Sequence, residues 1–98
     1  MYTSIRRYNI TGAETVEEIT RRVNEGFVPI ISQTPGFVAY YLVDAGDNVV
    51  ATISVFDEQA GAEESNRRAA DWVQQNLAHN VSGAPQVTAG QVTLYKTK

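Results

Sequence analysis

The chemistry open to this chain rests on few side chains: one histidine, His79, one tryptophan, Trp72, five tyrosines, and the adjacent arginines Arg6 and Arg7. There is no cysteine, which removes disulfides, thiolate nucleophiles and iron–sulfur ligation. His79 can serve as a general base or a metal ligand. A protein zinc site draws on several His or Cys ligands, so with one His and no Cys no metal is expected. A lone His at a helix C-terminus also has an ordinary role, since a charged ring meets the negative end of the helix dipole. Trp72 offers either a flat wall to an aromatic ligand or a core-filling ring.

Two pairs of neighbours pose a question of facing. Tyr40 and Tyr41 lie on one apolar segment, so one turns toward a pocket and the other toward the opposite side of the sheet. Arg6 and Arg7 divide the same way. Parity alone does not assign either pair. The inward arginine needs a partner, which is either an anionic or phenolate substrate or a carboxylate of a second subunit. Asp44 and Asp47 read as turn formers, because two carboxylates fall well short of a calcium shell. No nucleophile-elbow sequence supports a Ser-His-Asp triad.

The elements that must position these residues are legible from periodicity. Phe37–Val43 and Val49–Phe56 form two strands joined by a polar turn over 44–48. Neither strand alternates cleanly between apolar and polar, so the hairpin requires cover on both faces. Residues 2–10 form a first strand. A helical segment follows from Glu14 to about Ser32, with Val16, Ile19, Val23, Phe27 and Ile30 drawing one stripe. Thr15 and Glu18 fit a capping box, and Pro29 predicts a kink near the end. The pairs Glu17/Arg21, Glu18/Arg22, Glu63/Arg67 and Glu64/Arg68 stand at i,i+4 spacing. A second helix starts at Asp57 as N-cap and closes at His79-Asn80, with Ala62, Ala69, Val73 and Leu77 on its stripe and Trp72 beside it. The small residues Ala60, Ala62, Ser65 and Ala69 leave room for a pocket. Gln86–Tyr95 is the last strand.

The order strand, helix, strand, strand, helix, strand gives an α+β, ferredoxin-like βαββαβ domain. It has a four-stranded antiparallel sheet and both helices on one face. The other face is then bare and apolar, which marks an interface. The 98 residues make a single domain, 1–98, with a net charge of −3 and 43% hydrophobic residues. The basic residues are scattered, so no nucleic-acid partner is expected. No apolar run approaches the roughly 20 residues of a spanning helix, and no secretory leader is visible. The chain reads as cytoplasmic, with no membrane partner.

Through Pro35-Gly36-Phe37, Val55-Phe56-Asp57 and Ala69-Ala70-Asp71-Trp72-Val73, the chain resembles the antibiotic-biosynthesis-monooxygenase-like branch of the dimeric α+β barrel superfamily. The resemblance covers the whole chain in element order. It implies a homodimer closed sheet to sheet, and a pocket between sheet and helices for a small aromatic metabolite of polyketide or quinone type. It further implies cofactor-independent monooxygenase chemistry. Haem-degrading members use an Asn, a Trp and a His. Asn9 lies near the end of its strand here, and Trp72 and His79 come late and close together on their helix, so no haem and no other cofactor is expected. The candidate substrate-binding residues are Arg7, Asn9, Tyr41, Trp72 and His79. Two other readings compete: a non-catalytic ligand-binding or stress-related barrel, and an RNA-binding domain of the same element order. RNA binding would want aromatic and basic residues on the third strand, and Val50–Val55 has neither.

Overall fold

The computed structural model describes residues 1–98 and contains β1 (Tyr2–Asn9), α1 (Val16–Gly26), α2 (Val28–Ile31), β2 (Phe37–Gly46), β3 (Val49–Phe56), α3 (Gln59–Asn76) and β4 (Gln86–Gln91). The strands form one antiparallel sheet in the order β2-β3-β1-β4. This is the ferredoxin-like βαββαβ arrangement read from the sequence. No helix is long and apolar enough to cross a membrane.

The β2–β3 turn follows from its residue types. Asp47 and Asn48 both take positive φ, 53° and 61°. That is the backbone of a two-residue type I′ hairpin, which Asn and Asp tolerate better than other side chains. Asp44 Oδ1 accepts from the Gly46 N–H at 3.0 Å and braces the entry.

The first helical segment starts where its capping residue predicts, since Thr15 Oγ1 accepts from the Glu18 N–H at 3.2 Å. It breaks earlier than Pro29 suggests. α1 ends at Gly26, and Phe27 caps both α1 and α2. Pro29 falls in the first turn of α2, where its missing N–H costs no helical bond. The buried stripe runs in steps of four through Ile19, Val23, Phe27 and Ile31, so Ile31 is buried where the sequence reading had placed Ile30. Of the anticipated ion pairs only Glu64/Arg68 forms, at 3.0 Å. Arg21 pairs with Glu18 and Glu25, Arg22 with Glu14, and Arg67 with Glu64.

α3 begins one residue later than read. Its N-cap is Glu58, with no side-chain cap, while the Asp57 N–H donates to the Gly36 carbonyl at 2.8 Å. It ends at Asn76, so His79 and Asn80 sit in the following turn. β4 stops at Gln91 and not at Tyr95. Its last pair is Tyr2↔Gln91, and β1 has no earlier strand residue to pair beyond it. Leu94 and Tyr95 are left strongly exposed.

The core lies between the helices and one sheet face. Ile19, Val23 and Phe27 of the first helical segment and Ala62, Ala69 and Leu77 around α3 close over Tyr8, Ile10, Val50 and Phe56. The other sheet face carries Ile5, Ala51, Ile53 and Val55, half-buried, with Tyr41 and Val43 exposed.

Candidate ligand site

The helix-facing side of the two central strands buries polar side chains. β1 presents Ser4, Arg6 and Tyr8 to the helices; β3 presents Val50, Thr52, Ser54 and Phe56. Arg6 and Thr52 face each other across the ladder, as do Ser4 and Ser54. Arg6 is only 3% exposed. Its Nη1 donates to Asn66 Oδ1 on α3, and the same oxygen accepts from the Ser4 hydroxyl at 2.7 Å. Three buried side-chain polar atoms in the molecule lack any partner, and all three lie on this face: Arg6 Nε, Thr52 Oγ1 and Ser54 Oγ.

Two spaces meet at Arg6, Tyr8 and Val73. The inner one is a void of about 30 Å³ under the second half of α3, lined by Phe27, Tyr40, Leu42, Thr52, Ala69 and Trp72 among others. The outer one is an open cleft of about 410 Å³ between α3 and β4, with Asn66, Ala70, Gln74, Ala84, Pro85 and Val87 on its walls. Neither is lined by a carboxylate or an imidazole. The small residues of α3 act differently from the sequence reading. Ala62 and Ser65 are fully packed against the sheet and bring the helix close, while the space opens further along, from Ala69 to Leu77.

Aromatic rings wall the inner void. Phe27 stands edge-on to Tyr40 with centroids 5.8 Å apart, and tilted against Trp72 at 5.7 Å. Trp72 also closes on Gly26, where an added Cβ would stand 2.9 Å from Cζ2. Burial pushes the Tyr40 phenol up to about 12, opposed by the positive charge of Arg6. The Thr52 hydroxyl nearby lowers it too, without closing a well-aligned hydrogen bond. At neutral pH Tyr40 is therefore a hydrogen-bond donor and not a base.

Of the five candidate substrate-binding residues, Trp72 lines this space. Arg7, Asn9 and Tyr41 lie on the open sheet face, opposite Ala51, Val49 and Ile53 respectively, and Tyr41 is 56% exposed. The strand period of two makes the exchange complete, and Arg6, Tyr8 and Tyr40 occupy the inward positions. His79 is exposed in the turn after α3, with its carbonyl oxygen near Gly12. Asn66, Thr52 and Tyr8 went unnoticed in the sequence. The available signal is the pair Thr52 and Ser54 at alternate positions of a strand whose other side, Val49, Ala51, Ile53 and Val55, is apolar, paired with Ser4 and Arg6 across the ladder.

No family model matches the chain, and no curated protein matches it. Solved structures do. A monooxygenase of Streptomyces coelicolor from the gene ActVA-Orf6, in complex with the ligand nanaomycin D, aligns with TM-score 0.77 and 13% identity, over 99% of this chain and 91% of that one. SnoaB, a cofactor-independent oxygenase from Streptomyces nogalater, aligns with TM-score 0.72 and 15% identity, over 99% and 97%. A dimeric ferredoxin-like protein from an uncultured marine organism aligns with TM-score 0.74 and 9% identity, over the full length of both chains. What these likenesses show is the fold, a ferredoxin-like α+β domain common to this chain and those structures.

Proposed function

We propose that the chain is a cytoplasmic homodimer that binds a small aromatic metabolite, of polyketide or quinone type, in the seam between α3 and the sheet. There it oxidises the ligand with dioxygen and no cofactor. The carrying observation is the seam itself: aromatic walls from Phe27, Tyr40 and Trp72 stand over a floor where Arg6 and Thr52 keep unpartnered polar atoms. Likeness of fold to a cofactor-independent oxygenase and to a monooxygenase holding nanaomycin D supports the reading. The open apolar sheet face supports the dimer.

In such a reaction an ionised phenol gives up electrons to dioxygen directly. One oxygen atom becomes the carbonyl oxygen at a ring carbon. The other leaves as water with that carbon's hydrogen and the phenolic proton, so the substrate supplies all the electrons. The residues here suit the ionisation step by charge, since a guanidinium favours the phenolate. No side chain lining the seam is a ready base, so solvent takes the proton. The inner void of about 30 Å³ is far smaller than the few hundred Å³ a bound ring system fills. Entry is therefore through the outer cleft, with Trp72 and Val73 yielding to admit the ring. That small void also favours the second reading, a non-catalytic binding barrel.

The test is dioxygen uptake by purified, colourless protein with a panel of naphthols and anthrones. Uptake that rises as the phenol ionises supports the oxygenase. A panel without uptake, alongside saturable binding, leaves the binding barrel.

A further inference from the structure

We infer that the ligand of the α3–sheet seam is an aromatic anion, and that Arg6 holds its charge while Asn66 fixes the guanidinium in place. This rests on the seam being the ligand site. Arg6 is buried, and none of the chain's five ion pairs includes it. Its one hydrogen-bond partner is the neutral Asn66 oxygen, already shared with Ser4. A buried guanidinium left with a single neutral acceptor is strongly unfavourable unless something else compensates it.

Two compensators can be set aside by geometry. Own-chain carboxylates line neither the void nor the cleft. A second copy packed on the open sheet face meets Arg7, whose side chain points there, and is separated from Arg6 by the sheet. A water molecule could accept from Nε but would leave the charge in place. What remains is an anion entering by the outer cleft, which reaches Arg6 from the solvent side. Around it the unpartnered Thr52 hydroxyl, directly across the ladder, can donate to the same oxygen. The walls of the inner void beyond are apolar and aromatic, which suits a ring for the rest of the ligand.

Calorimetric titration of the purified protein with naphthoate and with naphthamide tests this, because the two probes share a ring and differ in charge. Naphthoate should bind at least tenfold tighter. Arg6→Met should lower naphthoate affinity to the naphthamide level and leave naphthamide unchanged. The ligand-free Arg6→Met protein should also melt higher than wild type, since an uncompensated charge has been removed. Equal affinities in wild type, a preference that survives the substitution, no naphthoate binding, or a lower melting temperature for the ligand-free variant would overturn the inference. Naphthoate binding without dioxygen uptake from phenols leaves it standing and removes only the oxygenase. Equal binding of both probes leaves an aromatic site and removes only the anion.

Discussion

Arg6 Nη1 and Asn66 Oδ1 form a hydrogen bond between residues 60 apart in sequence, joining the central strand β1 to the middle of α3. With the Ser4 hydroxyl, which donates to the same oxygen at 2.7 Å, it ties β1 to α3 by polar contact where the inner void meets the outer cleft. Asn66→Ala leaves a buried guanidinium and the Ser4 hydroxyl without their acceptor. The expected loss is about 2–3 kcal/mol of stability, read by urea denaturation. Naphthoate affinity should fall while naphthamide affinity holds, an effect that a purely structural Asn66 would not produce.

Tyr40 gives a pH signature. Its folded value near 12 lies above the ordinary value of 10, so the folded state holds the phenolic proton more tightly. The associated stability is fully present below about pH 10 and is lost as pH rises through about 12. Two pH units correspond to roughly 2–3 kcal/mol at most. The difference in stability between wild type and Tyr40→Phe should shrink or reverse across that window, and stay flat between pH 6 and about 9.

Gly26 and Trp72 are fitted to each other at the end of α1. A methyl group at Gly26 would come within 2.9 Å of the indole. Gly26→Ala should cost about 1–3 kcal/mol through overpacking, although alanine is the better helix former. Trp72 is the only tryptophan, so the emission spectrum should shift with the displaced ring. An unchanged spectrum and a stabilised protein would show that the contact is slack.

The element order, the two-faced hairpin and the Thr15 cap were all legible in the sequence, because each rests on local periodicity or a local side-chain bond. The site was much less so. Arg6 against Arg7 and Tyr40 against Tyr41 are decided by strand register. Register depends on the bulges at Phe37/Ala39 and Asp44/Gly46 and on which face the helices cover. Asn66 sits among Glu63, Glu64, Arg67 and Arg68 and looks like one more solvated helix position. Only the crossing of α3 over β1 gives it a role. His79 drew notice as the sole histidine, yet α3 stops before it at Asn76, where the Leu77 backbone leaves helical geometry at φ −129° and ψ 19°.

Ile53, half-buried at the centre of the open sheet face and opposite Tyr41, tests the dimer. Light scattering of the wild type should give twice the chain mass of 10.8 kDa. Ile53→Lys should give a monomer or an unfolded chain, because it places an unpaired charge between the two sheets of the dimer. A wild-type monomer would remove the barrel from the account.

The most direct test of the account follows the single indole N–H cross-peak in a proton–nitrogen correlation spectrum during titration with a naphthol. Occupation of the seam predicts that this peak moves saturably, together with the backbone amides of Asn66 and Val73 and with the Arg6 side chain. A titration that leaves the indole in place and instead shifts Tyr41 and Ile53 would put the ligand on the open sheet face and contradict it.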